Sequence, residues 1–113
     1  MNNKSIFELI LEGEIKSDII YENEYVFAIN DINPVAKVHI LIIPKKKIES
    51  INLIKEEDAN FLVHMFLTAK LLAKKFGIHK SGYRLLVNTN EDAGQTVFHI
   101  HMHLIGGEKL KSI

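Results

Sequence analysis

The sequence predicts an α+β fold with a mainly antiparallel sheet of five strands, one short helix and one long helix. Segments of β-strand composition lie on both sides of a single long helical pattern. Short turn-forming linkers join neighbouring strands, as antiparallel hairpins require. The chain has 113 residues, which fits one domain over residues 1–113 and leaves little room for a second core.

The N-terminal half is expected to contain the short helix and three strands. Ser5 and Glu8 have the spacing of a capping box, and Gly13 marks a helix end. Turn-forming residues occupy 31–34, and Pro44 stops the apolar strand that follows them. The predicted strands lie at 18–22, 25–30 and 38–43.

The C-terminal half is expected to contain the long helix and the last two strands. Apolar residues recur every third or fourth position between 56 and 76, and Gly77 caps the helix end. Additional apolar residues widen this face, which fits either a subunit interface or burial in the chain's own core. The main stripe is Ala59, Leu62, Phe66, Ala69, Ala73 and Phe76, and the strands are predicted at 83–89 and 95–105.

The composition excludes several classes of partner and chemistry. Fourteen basic side chains balance fourteen acidic ones, so no overall positive field attracts nucleic acid or anionic lipid. The chain has no cysteine, which excludes disulfides and thiolate catalysis. No apolar run approaches the roughly 20 residues of a membrane helix, and the N-terminus is unlike a signal peptide. A cytoplasmic protein without nucleic-acid or membrane partners is expected.

The last predicted strand carries three histidines at alternate positions. Alternate side chains of a strand share a face, so His99, His101 and His103 would point one way, each about 7 Å from the next. Phe98, Ile100, Met102 and Leu104 would form the opposite, core-facing side. Three explanations compete: a solvated polar face, a metal site, and nucleophilic catalysis by one imidazole.

The segment Gly94-Gln95-Thr96 before the histidines favours phosphoryl chemistry. Glycine permits close backbone approach to an anion, and backbone N–H groups with Gln and Thr side chains supply donors. Phosphoryl oxygens need such donors, whereas metal ions do not. The remaining histidines carry simpler interpretations: His64 as a surface or partly buried helix residue, and His79 as a loop residue.

The histidine pattern and its context resemble the histidine triad family. His99-Ile100-His101-Met102-His103-Leu104-Ile105 matches the His-φ-His-φ-His-φ-φ signature, where φ is apolar. The resemblance extends over nearly the whole chain, including the Asp31-Ile32-Asn33-Pro34 turn and the 94–96 loop. The Gly106-Gly107 pair after the triad resembles the sequence at this position in the phosphoramidase-like branch of the family. The diadenosine-polyphosphate hydrolase branch usually lacks this pair.

This resemblance implies a homodimer whose sheet continues across two subunits, with a purine nucleoside monophosphate pocket in each. It implies that His101 is the nucleophile and forms a nucleotidyl-histidine intermediate, with His99, His103 and a fourth histidine, His39, beside it. It also implies a set of substrate-binding residues. Asn88, Gln95, Thr96 and His103 would contact phosphate, next to Gly94 of the same loop. Asp31 would hold the ribose hydroxyls, and Phe7, Ile32 and Leu41 would form the walls of the base pocket.

Elementary chemistry agrees with several of these roles. A nucleophilic imidazole needs a fixed tautomer, most simply by donating its other N–H to a backbone carbonyl. His103, or water beside it, could deliver a proton to the leaving group. Asp31 suits two ribose hydroxyls but equally suits an Asx turn before Pro34.

Two residues depart from the pattern of many bacterial relatives. These carry a Cys-x-x-Cys zinc site where this chain has Ser5 and Glu8, so no metal and no other cofactor is expected. Lys45, Lys46 and Lys47 are expected in a solvated turn rather than on phosphate. The alternatives to a phosphoramidase are a dinucleoside polyphosphate hydrolase, a metal-dependent hydrolase and a purine nucleotide-binding regulator with incidental activity.

Overall fold

A five-stranded antiparallel sheet forms the centre of the molecule, in the spatial order β1-β2-β3-β5-β4. A computed structural model describes residues 3–113. Its elements are α1 (Ile6–Leu11), β1 (Ile19–Glu22), β2 (Val26–Asn30), β3 (Val38–Pro44), α2 (Ala59–Lys75), β4 (Tyr83–Leu86) and β5 (Met102–Gly106). The predicted α+β class, with one short helix, one long helix and five antiparallel strands, is confirmed.

The two faces of the sheet pack against different helices. Because successive side chains of a strand point to opposite faces, β2 and β3 each contribute to two cores, whereas β5 contributes to the core on the α2 side. The core on the α2 side includes Val26, Ala28, Ile40, Ile42, Met102 and Leu104. The core on the α1 side includes Phe27, Ile29, Leu41 and Ile43 together with Phe7 and Ile10 of the helix. His39, His99, His101 and His103 lie on the α1 side, next to this second core.

The short helix begins at the predicted capping box. The Ser5 hydroxyl accepts a hydrogen bond from Glu8 N at 3.1 Å, and the Glu8 carboxylate accepts from Ser5 N at 2.9 Å. These two bonds satisfy N–H groups that the first helical turn leaves without partners. The box therefore orients α1 so that Phe7 and Ile10 face the sheet.

The long helix is rotated relative to the predicted stripe. Its buried residues are Met65, Thr68, Ala69, Leu72 and Ala73. Phe66 and Phe76 of the predicted stripe are 59% and 42% exposed, so they lie outside the core of the described chain. A helix that is apolar on several sides does not specify from its sequence which side meets the sheet. The helix begins at Ala59, after a 3₁₀ turn over Glu56–Asp58.

The predicted last strand over 95–105 is too long. Regular pairing begins only at Met102, so His99 and His101 lie in the irregular segment before β5, which bends at residues 97–99. Phe98 is 46% exposed, and its assignment to the core face is therefore wrong. The segment is held away from the ladder by a bond from Ile100 N to the Ile48 carbonyl at 2.6 Å. Strand β4 is also shorter than predicted and ends at Leu86.

The Gly106-Gly107 pair has a packing role at the end of β5. A Cβ atom on Gly106 would lie 2.9 Å from Ile78 Cδ1, and Gly107 adopts φ +87°. Both positions thus favour glycine for local reasons, away from the histidines. This pair alone is therefore weak support for one branch of the family over another.

The three consecutive lysines after β3 make structural contacts. Lys45 pairs with Glu22, Lys46 with the buried Asp58, and the Lys47 ammonium donates to the Asn3 carbonyl. The Lys46 ammonium lowers the pKa of the Asp58 carboxyl.

None of the helices within residues 3–113 has the length and apolar character needed to cross a bilayer.

Candidate active site

A cavity of about 430 Å³ lies between α1, the loop after β2 and the segment that leads into β5. Its walls are largely aliphatic and aromatic, and its polar groups are concentrated near the histidines and the end of β2. Its lining is Ile6, Phe7, Ile10, Ile15, Lys16, Ser17, Ile29, Asn30, Asp31, Ile32, Asn33, Leu41, Asn88, Gly94, Thr96, Val97, His101 and His103. A second depression of about 510 Å³, between β4 and the segment after β5, includes no histidine.

The His101 ring has a defined tautomer. Its Nδ1 lies 2.8 Å from the carbonyl oxygen of His99. A carbonyl only accepts, so Nδ1 carries the proton and Nε2 keeps its lone pair. The Phe7 ring meets the His101 ring edge-on, with centroids 5.0 Å apart. The structure thus provides the carbonyl contact that a nucleophilic imidazole was predicted to need.

A chain of hydrogen bonds fixes the tautomer of His103. The Val35 N–H donates to His39 Nδ1 at 3.1 Å, so the proton of a neutral His39 is on Nε2. This Nε2 lies 2.9 Å from His103 Nδ1 and 3.4 Å from an oxygen of Asp31. His39 therefore donates to His103 Nδ1, and a neutral His103 carries its proton on Nε2. His39 itself is buried and does not line the cavity.

The two cavity histidines are consequently different from each other. His101 offers a lone pair at Nε2, whereas His103 offers an N–H at Nε2. Their ring centroids are 5.2 Å apart, closer than the predicted spacing of about 7 Å between strand neighbours.

Burial keeps the three triad imidazoles neutral. Desolvation lowers the pKa of His101 despite the favourable contact with the His99 carbonyl. Desolvation is the main cause that lowers the pKa of His103 to about 4, and the nearby His101 and His39 lower it further by electrostatic repulsion. Desolvation also lowers the pKa of His99. At neutral pH the site therefore presents uncharged imidazoles, as a nucleophile requires.

His99 is placed differently from the prediction that all three histidines share one polar face. It is fully buried and does not line the cavity. Its Nε2 donates to the Pro44 carbonyl at 2.8 Å, and its Nδ1 lies 2.6 Å from the Ser5 hydroxyl. The contact that His99 makes with His101 is through its backbone carbonyl.

Asp31 and Ile32 lie in the turn after β2 and line the cavity. One carboxylate oxygen of Asp31 accepts from Asn33 N at 2.8 Å, which is the Asx-turn arrangement. The other oxygen approaches His39. Ile32 is 90% exposed, so it forms part of the rim, while Phe7 and Leu41 form buried walls.

The loop 88–96 contributes Asn88, Gly94 and Thr96 to the cavity. Gly94 has φ +89°, a left-handed conformation that side chains disfavour. Gln95 does not line the cavity, contrary to its predicted contact with phosphate. Its amide donates to the Glu49 and Val97 carbonyls and accepts from Asn90 N. Gln95 therefore holds the loop in shape.

Several cavity residues were missed by the sequence analysis. Ile6 and Ile10 could have been found, because they lie on α1 within one turn of Phe7. Ile29 could also have been found, since it precedes Asp31 by two positions on the same face of β2. No sequence signal marked Lys16 or Ser17, which follow α1.

Within residues 3–113 the group suited to a metal ion consists of Asp31, His39 and His103, whose potential ligand atoms lie within 4.8 Å of one another. The hydrogen bonds already described account for this proximity. At the usual thiolate positions of zinc-binding relatives, Ser5 and Glu8 form the capping box of α1. The expectation of a metal-free protein remains a prediction.

Comparison with known proteins identifies the family. The HIT domain matches residues 12–110. The chain belongs to the HIT family. The purine nucleoside phosphoramidase of Escherichia coli strain K12 is 46% identical over 110 residues, which cover 97% of this chain and 92% of that protein. An uncharacterized HIT-like protein of Buchnera aphidicola is 44% identical over 110 residues, which cover 97% of this chain and 98% of that protein.

Solved structures show the same fold. A HIT family hydrolase from Clostridium thermocellum superposes with a TM-score of 0.94 at 43% identity, over 100% of this chain and 98% of that one. A HIT family hydrolase from Legionella pneumophila gives a TM-score of 0.92 at 41% identity, over 96% of each chain. The comparisons therefore support hydrolase chemistry at the level of the HIT family.

Proposed function

We propose that this HIT protein hydrolyses the P–N bond of purine nucleoside 5′-phosphoramidates, of the nucleotidyl-lysine type, to a nucleoside monophosphate and an amine. The single observation that carries the proposal is the pair of opposed tautomers, with a lone pair at His101 Nε2 and an N–H at His103 Nε2 in one cavity. The 46% identity to a purine nucleoside phosphoramidase supports the same bond type.

His101 Nε2 attacks phosphorus, and the P–N bond breaks to give a nucleotidyl-His101 intermediate. The positive charge on the substituted imidazole is stabilised because Nδ1–H remains on the His99 carbonyl. Water then attacks phosphorus, His101 leaves as a neutral imidazole, and nucleoside monophosphate is released.

His103 acts in this scheme as a hydrogen-bond donor to a phosphoryl oxygen. A neutral imidazole loses its N–H proton only with difficulty, so His103 is a poor general acid at neutral pH. The amine therefore takes its proton from water. The second step returns one proton to water, and the net reaction is addition of H₂O across the P–N bond.

The remaining cavity residues match the other parts of a nucleotide. Phosphate would lie beside Asn88, Gly94 and Thr96, and ribose beside the carboxylate of Asp31. The base would lie between apolar walls that include Phe7 and Leu41. Such walls bury a purine but make few directional contacts with it, so adenosine and guanosine substrates should both react.

The test is a comparison of kcat/KM for adenosine and guanosine 5′-phosphoramidates with that for diadenosine polyphosphates on one enzyme preparation. We expect the phosphoramidates to be much better substrates, since the cavity holds donors for one phosphoryl group. Faster cleavage of the P–O–P substrates would assign the same nucleophile to a dinucleoside polyphosphate hydrolase. Binding of AMP without turnover of either class would indicate a regulator.

We also propose that the protein is a homodimer. One side of α2 exposes Val63, Phe66, Leu67 and Leu71 at 53%, 59%, 50% and 46%. Burying these side chains against a second copy would stabilise a small protein. Strand β4 is an edge strand of the sheet, so pairing there would continue the sheet into the second subunit.

A further inference from the structure

The Ser5 hydroxyl connects the start of α1 to a histidine 94 positions later in the chain. Ser5 Oγ lies 2.6 Å from His99 Nδ1 and also accepts from Glu8 N at 3.1 Å. Both Ser5 and His99 are buried. The same hydroxyl therefore belongs to the helix cap and to the segment that carries the nucleophile.

The direction of this hydrogen bond follows from the other side of the His99 ring. Nε2 lies 2.8 Å from the Pro44 carbonyl, so Nε2 carries the proton. In a neutral ring Nδ1 is then unprotonated and accepts. The Ser5 O–H is the donor, and it uses its lone pair for the helix cap at the same time.

His99 in turn holds the nucleophile through its backbone. The His99 carbonyl accepts the Nδ1–H of His101 at 2.8 Å, so any displacement of the His99 backbone moves the oxygen that fixes the His101 tautomer. Phe7, two residues after Ser5, contacts both rings edge-on, with centroids 5.7 Å from His99 and 5.0 Å from His101. Helix α1 thus contacts the nucleophile by two routes that begin at its first turn.

We propose that Ser5 is a positioning residue for His101: its hydroxyl locks the orientation of His99, whose carbonyl then aligns His101 Nε2 with phosphorus. This role rests on the proposed nucleophilic function of His101. Without the hydroxyl, His99 Nδ1 is a buried acceptor with no partner. Because the ring is fully buried, its rotation or the entry of water beside it requires the His99 backbone to shift, and the carbonyl shifts with it. Small misplacements of a nucleophile lower the rate far more than they lower substrate binding.

The competing explanation is that Ser5 only caps α1. The capping box offers a matched control, because Glu8→Ala removes the reciprocal bond to Ser5 N and leaves the Ser5 hydroxyl on His99. Ser5→Ala removes both functions of the hydroxyl, and Ser5→Thr retains the hydroxyl. Both Ser5→Ala and Glu8→Ala should lower thermal stability, since each removes one half of the box, and Ser5→Ala should lower it more because it also leaves the buried His99 Nδ1 without a partner.

We expect Ser5→Ala to lower kcat for a phosphoramidate about tenfold or more, with KM changed less than about twofold. Glu8→Ala and Ser5→Thr should retain kcat within about twofold of the wild type. An unchanged kcat in Ser5→Ala would overturn the proposal. A loss in Glu8→Ala equal to that in Ser5→Ala would also overturn it, because the effect would then come from the helix cap.

A second readout separates this proposal from the proposed function. Diethyl pyrocarbonate acylates neutral imidazole, and mass spectrometry reports the modification rate at His101 without any nucleotide. We expect Ser5→Ala to change this rate, with Glu8→Ala and Ser5→Thr like the wild type. The ¹⁵N chemical shifts of the His99 ring should report loss of the Nδ1 hydrogen bond in Ser5→Ala alone. Unchanged shifts and rate in Ser5→Ala would overturn the positioning role, even if the wild type cleaves no phosphoramidate.

Discussion

Acid should destabilise this protein through His103, by an amount that the structure allows us to calculate. The pKa of His103 is lowered to about 4 by burial and by its neighbours His101 and His39. In the unfolded chain the same group has a pKa near 6.5, so the unfolded state binds more protons between these two values. The folded state is therefore favoured above about pH 6.5 and loses stability as the pH falls towards 4.

Between pH 7 and pH 5 this difference corresponds to a loss of about 1.8 kcal/mol in the free energy of unfolding. His103 is partly in contact with solvent, which screens the interaction, so we expect about 1 kcal/mol. Burial also lowers the pKa values of His99 and His101. Both groups therefore increase the total loss of unfolding free energy in the wild type between pH 7 and pH 5.

The assay is urea unfolding at pH 7 and pH 5, at one protein concentration, for the wild type and two variants. His103→Gln removes the titrating group and should lose about 1 kcal/mol less than the wild type over this range. His79→Gln is the matched control, because His79 is exposed in the loop after α2, and it should behave like the wild type. Equal losses for His103→Gln and the wild type would refute the reasoning.

Three further predictions concern catalysis, assembly and metal. Replacing His101 with Asn should lower kcat by several orders of magnitude while calorimetry shows AMP affinity within a few-fold of the wild type; near-normal turnover would exclude a nucleophilic role. Sedimentation at micromolar concentration should give twice the monomer mass, and Phe66→Glu on the exposed side of α2 should shift the protein towards monomer; an active wild-type monomer would contradict this. Protein purified without added metal should contain far less than one zinc per chain and remain active in EDTA, whereas stoichiometric zinc on Asp31, His39 and His103 would indicate a metal-dependent hydrolase.

Local patterns were sufficient to predict most of the fold. The capping box at Ser5 and Glu8, the short linkers between strands and the long apolar helix each depend on residues close together in sequence. The position of α2 on the sheet could not be predicted, because its apolar residues surround most of the helix. Contacts with the rest of the chain decide that Met65 is buried and Phe66 is exposed.

The candidate site was predictable where it follows the family signature and unpredictable where distant residues decide. Asp31 and His101 line one cavity, as the resemblance implies. Period-two alternation cannot distinguish a paired strand from an irregular segment, so the start of β5 was misplaced. The burial of His99 depends on Ser5 and Pro44, and the side chain of Gln95 is taken up by backbone partners around its loop. None of these contacts has a local sequence signal.

The central claim is that His101 becomes covalently attached to the nucleotide. Rapid quenching in alkaline denaturant during turnover of an adenosine 5′-phosphoramidate, followed by proteolysis and mass spectrometry at alkaline pH to preserve the acid-labile P–N bond, tests it directly. The account predicts one nucleoside monophosphoryl group on the peptide that contains His101, assigned to that residue by fragmentation and absent from His101→Asn. Full turnover with no adduct at any quench time, or an adduct on His103 or His39, would contradict the account.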